Sequence, residues 1–345
     1  MMTQATMTAR ERVLQTLKGE KVTPVPCFSG VGNVTTKGLE KLGYRFADLH
    51  NDAQKMAEAA MTTWELFGYE CVVIPFDLCL EAEALGCVMN PYAQTQELLY
   101  PTIKEKSKLT TEQLRQAATP ELLQKGRIPL VIEAARIVRE KVGDQVAIGS
   151  YVLGPFTLGG QISELEVLLK GSLKKPDEMK DYLDAMADII ILVGNHLLRN
   201  GIDYVSVREM GATSDVLSPR VFKKVIFPAL KKVADNLDSP SILHICGSVI
   251  PVIDMMAECG YDALSIDSKT PMKEAREKTG ENTVILGNFN PFATLNTGTA
   301  EEAYNVAAQC VKDGVNGVHP GCDIWPTAKP ENLEAMIKAV RETSV

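Results

Sequence analysis

Apolar and polar positions along this chain fall into a repeating pair of patterns. A short run rich in β-branched residues is followed by a longer stretch with helical period. The short runs lie at residues 22–28, 71–76, 146–152, 204–207, 242–246, 263–266, 284–288 and 315–319. The stretches between them predict helices around residues 52–67, 130–141, 164–200, 218–236, 249–258, 271–278, 299–312 and 330–343. Strands that alternate with helices pair in parallel, and eight such units favour a closed barrel over an open sheet. The expected fold is therefore α/β, a single (β/α)8 TIM barrel.

Local signals support the helix assignments. Ser218 precedes Pro219, a capping hydroxyl before a residue suited to the first helical position. Thr299 and Glu302 have the spacing of a capping box, and Lys329-Pro330-Glu331-Asn332 opens the last helix. Gly201, Gly260 and Gly314 stand where helices should stop. Residues 89–125 are polar and turn-rich, and read as an insertion after the second strand that crosses the mouth of the barrel. The first twenty residues predict a helical extension over one end. With no repeat or low-complexity linker, residues 1–345 form one expected domain.

Composition narrows the picture. A chain of 345 residues with 45% hydrophobic and 23% charged residues suits one elaborated soluble barrel. The net charge of -8, with no basic cluster, argues against general affinity for nucleic acid. No apolar run has the length of a membrane span, and the N-terminus lacks a secretory apolar region, so the expected location is cytoplasmic. The eight cysteines are too scattered for a disulfide scaffold. Cys71 and Cys310 lie within apolar runs and read as small core residues, while reduced thiols elsewhere stay open to metal binding.

In such a barrel, reactive groups come from the C-terminal ends of the strands. Several unusual residues fall there, including Tyr151, Arg208, Glu209, Asp215, Asp267, Asn288 and the segment 77–83. The sharpest set is His244-Ile245-Cys246 with Cys322. Residues two apart on a strand face the same side, so His244 and Cys246 both project into the mouth. Two thiolates and an imidazole suit zinc, and three ligands leave a fourth position open to substrate. The competing reading is a buried histidine beside two inert core cysteines. Glu83 and Glu81 offer a fourth ligand or a proton acceptor, or simply an acidic helix N-terminus. Asp267 either serves the chemistry or caps the next helix. Asn288 either contacts a ligand or makes turn hydrogen bonds. His50, His196 and His319 lack partners at ligand spacing and read as structural.

The segments GATSDVLSPRVF, PSILHICG, DALSID, VILGNFNP and HPGCDIWPTAKPENLEAM resemble the signatures of the uroporphyrinogen decarboxylase superfamily, as does MTARERVLQTLKGEKVTPVP. Two features depart from the decarboxylase itself. PVPCFSGVGNVT has no arginine where that enzyme holds its substrate's carboxylates, and Pro320-Gly321-Cys322 stands in place of GHG. The chain resembles instead the corrinoid-dependent methyltransferases of that superfamily, whose zinc motif is matched by His244, Cys246 and Cys322. PFDLCLEAEALGC and IGSYVLGPFTLG resemble the same branch.

This resemblance implies transfer of a methyl group from a corrinoid to a thiol, with coenzyme M the leading acceptor. It implies catalytic zinc, and a methylcobamide carried by a small corrinoid-binding protein that docks on the loops. Arg208, Tyr151 and Asn288 become candidates for binding substrate or cofactor, Arg208 for the sulfonate, and Asp267 a candidate for the chemistry. Four alternatives stay open: loading methyl onto a corrinoid protein, another acceptor such as tetrahydrofolate, a non-catalytic module that binds the corrinoid protein, and, last, the decarboxylase itself acting on a porphyrinogen without metal.

Overall fold

A computed structural model of the chain describes residues 7–343. Nine strands form among the described residues: β1 Cys71–Val73, β2 Val88–Asn90, β3 Thr102–Glu105, β4 Ala147–Leu153, β5 Tyr204–Arg208, β6 Ser241–Ile245, β7 Ala263–Ile266, β8 Ile285–Phe289 and β9 Gly317–Pro320. Seven of them make one parallel sheet in the order β1-β4-β5-β6-β7-β8-β9. β2 and β3 form a separate antiparallel pair.

The sheet closes through a segment too irregular to be a strand. Cys27 bridges Val318 in parallel, with Phe28 N donating to Val318 O at 3.2 Å and Val318 N to Pro26 O at 2.9 Å. On its other side Glu70 N, just before β1, donates to Cys27 O at 2.9 Å. The expectation of a full strand at residues 22–28 is therefore corrected to a single bridge. Pro24 and Pro26 lack the N–H groups that a strand paired on both edges requires. The other seven expected runs all became strands, within a few residues of their expected ends.

Every residue of β1, β4, β5, β6, β7 and β9 is buried. That is the pattern of strands with a packed barrel on one face and helices on the other. Asp52 caps the helix Ala53–Phe67, and Thr299 with Glu302 makes the expected capping box on Ala300–Lys312. The stretch expected as one helix over 164–200 is two, Leu165–Lys174 and Pro176–Leu198. Pro176 cannot continue the first helix but suits the first turn of the second.

The helix Ala9–Leu17 covers the N-terminal end of the barrel, burying Val13 and Leu17. Arg10 reaches Asp203 at 2.8 Å and Arg12 reaches Glu70 at 2.7 Å, two acids that immediately precede β5 and β1. Residues 1–6 of the expected extension lie outside the described residues. At the opposite end, the β2–β3 hairpin and its connection place Tyr100 and Ile103 against the loop that follows β1. No helix among the described residues is long and apolar enough to cross a membrane.

Candidate active site

His244 enters the barrel from β6 and is wholly buried. Its neighbour in register on β7 is Ser265, whose Oγ lies 2.9 Å from His244 Nδ1. The other ring nitrogen, Nε2, is buried without any hydrogen-bond partner. Cys246 follows at the first bend beyond β6, and Cys322 stands in the loop beyond β9. The two thiols lie close enough to perturb each other's acidity, and Cys322 also senses His244. That mutual influence splits their acidities. Cys246 is drawn below the usual thiol value mainly by Cys322, and Cys322 is driven up by Cys246 and by burial.

The structure thus brings together the three residues that the sequence singled out for a metal. Among the described residues, no group of three or more His, Cys, Asp or Glu stands in metal-holding geometry. The donor chemistry nevertheless fits zinc. Two half-buried thiols adjoin an imidazole whose Nδ1 is engaged by a hydroxyl, while its Nε2 makes no hydrogen bond. A buried polar atom without a partner carries a desolvation cost of about 1–3 kcal/mol, and a metal ion would relieve it.

Beside this set lies a cavity of about 470 Å³, walled by Phe76, Leu78, Tyr100, Ile103, Arg208 and Asp323. Arg208 ends β5, is 1% exposed and points inward. Its guanidinium pairs with both oxygens of Asp323, at 3.1 and 2.7 Å, and lies 4.9 Å from the centre of the Tyr151 ring. Its Nε is buried and makes no hydrogen bond. Asp323 also accepts from Gly32 N at 2.7 Å, and so ties the loop of Cys322 to the loop beyond the bridging segment. Tyr151 has one ring face under Arg208, and its hydroxyl donates to Asp77 O at 3.1 Å. These contacts make it part of the support of the wall beside Arg208.

The remaining candidates separate. Asp267 accepts from Gly247 N at 3.1 Å and from Lys269 N at 3.0 Å, bracing the loop that holds Cys246. Asn288 Nδ2 donates to Thr270 O at 2.7 Å, and its side chain braces the loop after β7 instead of meeting the cavity of Arg208. Glu83, expected as a fourth ligand, is 2.7 Å from Arg127. That ion pair occupies its carboxylate. Arg127 also binds Asp77, which takes a further hydrogen bond from His50 at 3.1 Å. Burial would raise the Asp77 carboxyl, but these donors hold it well below the usual range.

Two contacts of the site had no local signal in the sequence. Asp323 neutralises Arg208 from a distant loop. His319, read as structural, packs 6.3 Å from the His244 ring and accepts from Gly30 N at 2.9 Å. Burial pushes His319 down to about 3, so it is neutral. Only closure of the barrel places Gly30 beside it.

The profile of the uroporphyrinogen decarboxylase (URO-D) family matches residues 8–343. The chain belongs to that family. Within it, the chain is 31% identical over 334 residues to methylcobamide:CoM methyltransferase MtaA of Methanosarcina barkeri, covering 96% of this chain and 97% of that one. It is 28% identical over 340 residues to methylcobamide:CoM methyltransferase MtbA of Methanosarcina acetivorans, covering 97% and 98% of the two chains. A solved methyltransferase from Methanosarcina mazei superposes with a TM-score of 0.91 at 31% identity, covering 98% of this chain and 99% of that one. These relatives place the chain in the corrinoid-dependent methyltransferase branch, and the fold is the barrel of that family.

Proposed function

We propose that this protein transfers a methyl group from a methyl-corrinoid to a thiol, with coenzyme M as the acceptor and zinc held by His244, Cys246 and Cys322. The observation that carries the reading is the bare Nε2 of His244, buried beside two neighbouring thiols. Full-length similarity to methylcobamide:CoM methyltransferases supports both donor and acceptor.

When bound, zinc would supply Lewis acidity that keeps the acceptor's sulfur a thiolate at neutral pH. The protein's own residues do the rest. Ser265 fixes the orientation of the His244 ring, so that Nε2 faces the thiols. Asp323 holds Arg208 at the cavity wall, leaving Nε free to donate to an anionic tail such as a sulfonate. The apolar wall of Phe76, Leu78 and Ile103 excludes water and strengthens these polar contacts. Overall the acceptor thiol loses a proton and gains CH3, while the bonding pair stays on cobalt, which passes from Co(III) to Co(I). In this reading the donor arrives on a separate small corrinoid-binding protein, consistent with the methylcobamide named for the relatives.

Metal analysis combined with a methylcobalamin assay tests this reading, with coenzyme M, homocysteine and tetrahydrofolate offered in parallel. Stoichiometric zinc and methylation of coenzyme M are expected, and Cys246→Ala should abolish both. Absent zinc, or activity that survives Cys246→Ala, would refute it; preference for tetrahydrofolate would refute the thiol acceptor alone.

A further inference from the structure

The loops beyond β8 and β9 carry a feature that the chemistry above leaves unused. Phe292 and Trp325 meet edge to face, with ring centroids 5.1 Å apart. Yet 45% of Phe292 and 51% of Trp325 is exposed. Single exposed rings are ordinary, but a contacting pair makes a local apolar patch. Trp325 belongs to the loop that holds Cys322, and Phe292 opens the turn that follows β8.

The patch is also held in place. Ile324 N donates to Gly32 O at 3.0 Å, Ala328 N to Trp325 O at 2.9 Å, and Lys329 N to Leu295 O at 2.9 Å. Asn296 Nδ2 adds a bond to Thr327 Oγ1 at 2.8 Å. Rings fixed by their own loops lose little freedom on contact, so their apolar area converts efficiently into binding.

We propose that Phe292 and Trp325 are the landing site of the corrin macrocycle, which rests there while its axial methyl faces the thiol site. The proposal rests on the methyl-transfer reading above. A methyl group on the axis of a broad ring can reach a sulfur near Cys246 and Cys322 only if the ring lies across the mouth. The cavity of about 470 Å³ beside Arg208 is lined by neither Cys246 nor Cys322, so the ring approaches the thiols over the loops that bear them. Its periphery must therefore bear on the rim, and that periphery is uncharged, made of methyl groups and amides. The aromatic pair is an uncharged surface at this rim, and its Trp325 stands on the loop that carries Cys322, so contact there fixes the ring close to the thiol site.

Two measurements test this, using methylcobalamin as the probe. The first is its apparent KM in the thiol-methylation assay, with zinc content measured alongside. Phe292→Ser and Trp325→Ser should each raise KM about tenfold, with kcat and zinc little changed. Trp325→Phe should restore most of the affinity, and Leu173→Ser, on the exposed helix Leu165–Lys174, should change nothing. The second is retention of cobalamin by the protein in ultrafiltration, which needs no turnover. Loss of retention in the two serine variants supports the landing site even if the proposed acceptor proves wrong. Unchanged KM and retention would overturn it. So would a patch that instead joins two copies of the chain, seen as a dimer in sedimentation that Trp325→Ser dissociates.

Discussion

At the scale of the residue, the arrangement around His244 depends on one hydroxyl. Ser265 Oγ, at 2.9 Å, determines which imidazole nitrogen is engaged and which remains available beside Cys322. A hydrogen bond of this kind orients a ligand and raises its basicity without touching the metal. Ser265→Ala should therefore weaken zinc about 10- to 100-fold in a competitive chelator titration. Far-ultraviolet circular dichroism should stay unchanged, since one small buried side chain is lost. Equal affinity in the two proteins would show that His244 is oriented by its packing alone. Cys246 and Cys322 make the complementary point: neither lies within a strand, so their approach depends on two loops being held close. Asp267 and Asp323 hold those loops, through Gly247 N and Gly32 N respectively.

At the scale of the element, buried carboxyls tie the helices of the mouth to the strands. Glu209 accepts from Phe156 N and Thr157 N, both at 2.8 Å, and anchors the start of the helix Pro155–Ile162. Glu81, in the helix Leu80–Ala84, accepts from Leu153 N at 2.9 Å and joins that helix to the end of β4. Burial pushes the Glu81 carboxyl from its ordinary value of 4.5 up to about 7. Between those values the folded protein binds the proton that the unfolded chain releases. This group's contribution is therefore complete below 4.5 and is lost as pH rises through 7. Gln at position 81 keeps the acceptor and does not titrate. Glu81→Gln should accordingly gain stability on the parent between pH 5 and pH 8, by about 1–3 kcal/mol in urea unfolding. A difference that does not vary with pH would show that Glu81 stays ionised in the fold.

The irregular first stave belongs to the same scale. The apolar run at 22–28 was legible as a barrel position, and the prolines within it show why only Cys27 pairs. A strand paired on both sides needs donors along its length, and this segment cannot supply them. Closure then depends on a few bonds at Pro26, Cys27 and Phe28, which bring the loop of Gly30 and Gly32 to His319 and Asp323.

At the scale of the whole molecule, the proposed zinc site would join β6 to the loop beyond β9, elements that lie on separate parts of the barrel wall. An ion that holds both favours the closed barrel over any opened form, because only the folded chain presents all three ligands. Removing zinc with a chelator should lower Tm by roughly 5 °C in differential scanning calorimetry at saturating metal. Zinc should restore the loss and magnesium should not, since thiolates and imidazole discriminate against hard cations. An unchanged Tm would mean that the site holds no ion in the folded protein.

The sequence by itself determined the alternation of strands and helices, and with it the parallel barrel. It also determined the caps that start the helices, and the chemical identity of His244, Cys246 and Cys322. Those follow from local rules: period, hydrogen-bonding side chains near chain breaks, and the kinds of atom that bind soft metals. What only the tertiary structure decided is which distant groups meet. It paired Arg208 with Asp323, sent Glu83 to Arg127, turned Tyr151 into a support, and set Trp325 beside Phe292. The physical reason is that ion pairing, stacking and burial depend on separation in space. That separation between strands is fixed only when the barrel closes.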